Sequence, residues 1–301
     1  MAAATKNTKM KFALYSNSKD AWAAMYNSMR FAEKSIFLEM FIFSHDTSDE
    51  YNFVELLVEK ARLGVRVILI LDSFGSRDFA EESIRRITEA GGEVVFFRKG
   101  LFGTHRKVLI VDGKEAFVGG VNIKRAARSW HDLMVSLTER HSVYLLGRMF
   151  ARTYKALGGV EELVPKKRNR QRLSKISAYI IEHAPFFKAY ALERQYRKIF
   201  FRAKQNLFLV TPYFVPAHWM FHCVRTLVAR GASVDILIPR ATDNFLLDRA
   251  NSFYTKKMFD LGASIYWFND MNHVYRDWET DRKSTRLNSS HSGESRMPSS
   301  A

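Results

Sequence analysis

Between Gly103 and Ile123 the sequence reads GTHRKVLIVDGKEAFVGGVNI, and this stretch holds residue types suited to phosphoryl chemistry. His105 and Lys107 stand two apart, so on a strand both side chains point to one face and can meet one ligand. Imidazole titrates near neutrality and can attack phosphorus or shuttle a proton, while an ammonium group neutralises phosphate oxygens. VGGVN follows, where the paired Gly119 and Gly120 are expected to let backbone N–H groups approach an anion. Asn122 can donate one further hydrogen bond there. Asp112 falls on the opposite face, and Asp112-Gly113 between two strand-like runs is a hairpin signal, so it is expected to hold a turn.

Other residues carry weaker signals. Glu39 sits in the middle of SIFLEMFIF, and a carboxylate among apolar strand residues should have a partner; lining a cleft and facing solvent are both open. Asp132 enters a second apolar run in RSWHDLMVSL, where a surface carboxylate at a strand start is one reading. His218 and His222 have a metal-ligand spacing, but HWMFH lacks the Glu of H-E-x-x-H and a third ligand, so no metal is expected. Phe200, Phe201, Phe208, Phe214 and Phe221 read as core, and Cys223 as a buried small hydrophobe. A single cysteine excludes an intramolecular disulfide framework and a cysteine-based zinc site.

The elements that must position these residues are written twice. SIFLEMFIF, a helix through YNFVELLVEKARLG, VRVILILD, a helix through FAEESIRRITEAGG, and EVVFF form the first series. NLFLVTPYFV, HWMFHCVRTLVARG, ASVDILIP, FLLDRANSFYTKKMFDLG and ASIYWF repeat the order. The helices end in Gly64, Gly91, Gly231 and Gly262, where a left-handed cap is expected. Strands alternating with helices predict an α/β fold with a parallel or mixed sheet, and two copies predict a bilobal molecule with its site in the cleft between the halves.

Of 301 residues, 47 are Lys or Arg and 31 are Asp or Glu, a formal net charge of +16 that favours anionic partners: nucleic acid, an acidic membrane surface or phosphorylated substrates. A hydrophobic content of 47% excludes a wholly disordered chain. No apolar run reaches the ~20 residues of a membrane span, and no secretory h-region opens the chain. The basic run Lys166, Lys167, Arg168, Arg170 and Arg172 reads as a solvated linker or as a contact with anionic lipid, worth ~1 kcal/mol per basic residue. From Tyr275 onward the composition changes to Ser, Arg and Asp. Within that tail DRKSTRLNSSH and SRMPSSA resemble the translation of a sequencing-library adapter, so 275–301 is expected to be non-native or disordered.

H-x-K-x4-D followed by G-G-x-N resembles the signature of the phospholipase D superfamily. HRK with GGVNI, and TPYFVP followed by ARGASVDILIP, are similar to its cardiolipin synthase branch. The resemblance covers about residues 12–274. It implies a first half at 12–160, a basic linker and helix at 161–182, a truncated second half at 183–274, and an active site between the two. It also implies catalytic positions for His105, Lys107 and Asp112, a phosphate-binding one for Asn122 beside Gly120, and a histidine-orienting one for Asp132. His273 stands where the second histidine belongs, but Tyr275 and Thr280 occupy the lysine and aspartate positions. The implied reaction transfers a phosphatidyl group between phosphatidylglycerol molecules through phosphohistidine, with no metal or cofactor, by a protein cytoplasmic and peripheral to the inner membrane. The alternatives are a phosphodiesterase or nuclease acting on nucleic acid, and a non-catalytic basic membrane-binding module.

Overall fold

The computed structural model describes residues 12–45, 47, 51–98, 103–160, 163, 180–184, 189–242 and 245–268. The basic run at 166–172, His273 and the tail from 275 lie outside them. Two compact units divide the chain, Met1–Ile180 and Ile181–Ala301.

In the first unit β1 (Phe12–Tyr15) leads into α1 (Ser18–Arg30), which Asn17 caps by accepting the Asp20 N–H at 2.8 Å. β2 (Ser35–Met40), α2 (Phe53–Arg62), β3 (Arg66–Asp72), α3 (Glu81–Glu89) and β4 (Glu93–Phe97) follow. Then come β5 (Val108–Val111), β6 (Glu115–Gly119), β7 (Met134–Leu137) and α4 (Arg140–Ala156). One seven-stranded sheet results, in the order β1-β7-β6-β5-β2-β3-β4. β2, β3 and β4 are parallel, and β5, β6, β7 and β1 continue antiparallel from the other side of β2.

β2 and β3 read as near-continuous apolar runs because both faces of the sheet are covered. Leu38, Met40, Val67, Leu69 and Leu71 share a core with Trp22 and Met25 of α1 and Leu57 and Val58 of α2. On the other face Phe37 stacks against Phe150 of α4, ring centroids 5.3 Å apart. Burying each such side chain contributes ~1.5–3 kcal/mol, which is what holds the sheet rigid beneath the site.

In the second unit a two-stranded pair, β8 (His183–Ala184) and β9 (Ala189–Tyr190), precedes α5 (Ala191–Arg202). β10 (Asn206–Val210), α6 (His218–Ala229), β11 (Ser233–Pro239), α7 (Phe245–Asp260) and β12 (Ser264–Phe268) then build a parallel sheet in the order β10-β11-β12. The expected repeat is present: in each unit three sequential parallel strands are joined by two helices. All four expected glycine caps have positive φ, from +80° at Gly231 to +96° at Gly91.

The expectation that all five phenylalanines are core needs correction. Phe200 and Phe214 are buried, but Phe201 and Phe208 are 52% and 71% exposed. Period-2 alternation puts Phe208, Val210, Tyr266 and Phe268 on a sheet face that the described residues leave open, opposite the core around Val234, Ile236 and Cys223. No helix among the described residues is long and apolar enough to cross a membrane.

Candidate active site

Regular pairing of β5 with β2 ends at Val108 opposite Glu39, so His105 and Lys107 lie in the segment leading into β5 and not on a strand as expected. Side-chain carboxylates take over where the ladder stops. The Thr104 N–H donates to Asp72 Oδ2 at 2.7 Å and its hydroxyl to Glu39 Oε1 at 2.5 Å. The same-face relation survives: Lys107 Nζ stands 3.3 Å from both ring nitrogens of His105 and donates to its carbonyl oxygen at 3.0 Å.

Phe41, just past β2, covers both groups. Its ring centroid is 4.4 Å from that of His105 and 4.8 Å from Lys107 Nζ, a cation–π distance. Lys107 is buried at 2% exposure. Burial first, and the neighbouring Lys107 charge second, push His105 down to about 4, with the Asp72 carboxylate opposing them. At neutral pH the ring is therefore uncharged, with one ring nitrogen unprotonated.

The glycines do something other than expected. The Gly119 N–H donates to Lys107 O at 3.3 Å and the Gly120 N–H to Leu133 O at 2.8 Å, so both are consumed by backbone and neither is offered to an anion. What the positions require is space: a Cβ on Gly119 would run into the Leu133 carbonyl, and one on Gly120 into the Asp132 carboxylate. Asn122 keeps its predicted capacity. It is 1% exposed, its Oδ1 accepts the Ile42 N–H at 3.2 Å, and its Nδ2 has no protein partner among the described residues.

Asp132 accepts the Leu133 N–H at 2.7 Å. Burial raises its carboxyl above the usual range against that bond and the Lys107 charge. Asp72, which sequence reading passed over, is the carboxylate whose charge is felt at His105. Its only signal was an acid closing the apolar run VRVILILD. Glu39, singled out as an acid without an evident partner, is 1% exposed and faces Arg106 at 3.6 Å as well as Thr104.

Asp112 sits at the opposite end of β5 from Lys107, at φ +54° in the turn to β6. Its carboxylate accepts N–H groups of Glu33 (3.1 Å), Lys34 (2.7 Å) and Ser35 (2.9 Å). It is thus committed to joining the hairpin to the start of β2, away from the His105 ring, which corrects its placement among the catalytic residues. Burial pushes its carboxyl up, but those N–H bonds and Lys114 outweigh it, for a net lowering. His273 is outside the described residues, so the paired-histidine arrangement stays an expectation.

Residues 25–154 match the family described as "Cardiolipin synthase, PLD-like domain", a span that includes His105, Lys107, Asn122 and Asp132. That segment is similar to the phospholipase D-like domain of the cardiolipin synthase family. The chain is 26% identical over 281 residues to the probable cardiolipin synthase YwiE of Bacillus subtilis (strain 168), covering 86% of this chain and 55% of the relative. It is 27% identical over 277 residues to a cardiolipin synthase of Clostridium perfringens (strain 13 / Type A), covering 85% and 58%. Over 270 residues it is 28% identical to the minor cardiolipin synthase ClsB of Bacillus subtilis, covering 83% and 65%. The chain thus spans a little over half the length of the first two relatives. Among solved structures, phosphatidylserine synthase of Haemophilus influenzae Rd KW20 superposes with a TM-score of 0.62 at 12% identity, over 88% of this chain and 74% of that one. At that identity the likeness shows a shared fold.

Proposed function

We propose that the chain is a cardiolipin synthase-like phosphatidyltransferase that acts on phosphatidylglycerol through a phosphohistidine intermediate. The observation that carries this reading is the uncharged His105 ring held against Lys107, alongside an Asn122 Nδ2 group, on the segment that follows β6, with no protein partner among the described residues.

His105 attacks phosphorus, and the bond from phosphorus to the glycerol headgroup oxygen breaks. Glycerol leaves after taking a proton from a general acid, the role the phospholipase D resemblance implies for His273. A hydroxyl of a second phosphatidylglycerol, giving up its proton to the same group, attacks phosphorus and releases His105 as cardiolipin forms. Lys107 and the Asn122 Nδ2 group stabilise the phosphoryl oxygens, whose charge grows in each transition state. The neutral ring suits the attacking role, because a protonated imidazole has no lone pair to give.

Support for a lipid substrate comes from the relatives named above and from the net charge of +16, which fits an anionic bilayer. The test is to incubate the protein with vesicles containing labelled phosphatidylglycerol and, separately, with single-stranded DNA. Cardiolipin and glycerol are expected, insensitive to EDTA, and lost at least ~10²-fold in His105→Ala. DNA cleavage without lipid turnover would favour the nuclease reading. Vesicle binding without product would favour a non-catalytic membrane module.

A further inference from the structure

Two buried acids, Glu39 and Asp72, have no part in the reaction just described, yet both hold the segment that carries His105. They come from adjacent parallel strands and share a sheet face: Glu39 pairs in register with Ile70, and Asp72 is two residues further along β3. Exposures of 1% and 2% make each an expensive place for a charge unless its oxygens are filled.

Thr104 and Arg106 fill part of these oxygens, and the turn after Asp72 fills the rest of Asp72. Glu39 Oε1 takes the Thr104 hydroxyl at 2.5 Å, and Oε2 faces the Arg106 guanidinium at 3.6 Å. Arg106 also donates to Thr153 Oγ1 of α4 at 3.1 Å. Asp72 Oδ2 takes the Thr104 N–H at 2.7 Å, while Oδ1 takes the N–H groups of Phe74 at 3.0 Å and Gly75 at 2.8 Å. Gly103 has room only for hydrogen, since a Cβ there would enter the Asp72 carboxylate. Thr104 and Arg106 are thus anchored to the sheet and α4, while His105 and Lys107 meet each other and Phe41.

We propose that Glu39 and Asp72 are positioning residues, which grip Thr104 and Arg106 from behind and so fix where the His105 ring stands against Lys107 and Phe41. The proposal rests on His105 being the reacting group, but its test reads ring position without any turnover. Charges felt at the ring include those of Lys107 and Asp72. Thr104→Val changes neither and removes only the hydroxyl grip, so a moved titration midpoint reports a moved ring.

The His105 Cε1–H resonance, assigned by its loss in His105→Gln, is followed by NMR through a pH titration of the 301-residue chain. The parent midpoint is expected near 4. In Thr104→Val and Glu39→Leu the released ring gains solvent, and the midpoint climbs towards the ordinary 6.5, by at least about one pH unit. Thr104→Ser and Glu39→Gln keep the donor and the acceptor and stay close to the parent. If Glu39→Leu does not fold, the two Thr104 variants decide alone. A folded Thr104→Val with the parent midpoint overturns the proposal, as does a parent midpoint of 6.5, or Thr104→Ser shifting as far as Thr104→Val. Midpoints that behave as expected in a protein with no phosphatidyl transfer would leave the positioning standing and remove the reaction.

Discussion

His105 is held below the ordinary histidine value chiefly because its ring is withdrawn from water, and that has a consequence for stability as well as for chemistry. The native state keeps the ring neutral down to about 4, whereas the unfolded chain binds a proton below 6.5. Between those two values the unfolded state holds more protons, so stability must fall as pH is lowered through that window. Chemical denaturation at a series of pH values should show this decline, and His105→Gln should flatten it; an unchanged slope would mean the ring is not buried. Asp112 acts in the same direction at lower pH. Its carboxyl is lowered overall, so its stabilisation is present above the ordinary carboxylate value and is lost as pH falls through the native one. Asp112→Ala leaves the N–H groups of Glu33, Lys34 and Ser35 without that acceptor and should cost about 1–3 kcal/mol in urea denaturation. A cost below about 0.5 kcal/mol would mean that water replaces the carboxylate there.

Among the elements, the junction of β6 with β7 is where substitution is most restricted. A methyl at Gly119 meets the Leu133 carbonyl and the Met134 Cα, which are backbone and cannot swing aside. Gly119→Ala should therefore destabilise by about 1–3 kcal/mol and displace Lys107, whose carbonyl is bonded to the Gly119 N–H. Thermal denaturation that leaves the midpoint unchanged would contradict this. Sequence alone made the element order plain, since apolar period and glycine caps are local properties: β2 to β4 and β10 to β12 fall within the runs that predict them. His105 and Lys107 were also legible as a pair. Their support was not, because Thr104 is held by acids 65 and 32 residues away in sequence. Glu39 could be noticed only as an anomaly, and Asp72 looked like the ordinary end of a strand. The paired glycines misled for a related reason: glycine signals close approach without saying what approaches, and here it is a neighbouring strand and a carboxylate.

At the scale of the whole molecule, the two units share three parallel strands joined by two helices but differ in cover. In the first, α4 lies over the face that carries Phe37; in the second, Phe208, Val210 and Tyr266 stand more than half exposed on an open face. Such a patch should bind the dye ANS, and Phe208→Asp should reduce that fluorescence with a stability change within about 0.5 kcal/mol. Fluorescence equal to that of a non-binding control protein would show the face to be covered. Phosphatidyl transfer by this route requires a covalent bond between one imidazole and phosphorus. Rapid quenching of the protein with phosphatidylglycerol labelled at phosphorus, followed by peptide mapping, tests it most directly. Acid-labile, base-stable label on the peptide containing His105, absent in His105→Gln, is the predicted result; phosphatidylglycerol consumed at the parental rate by His105→Gln would contradict it.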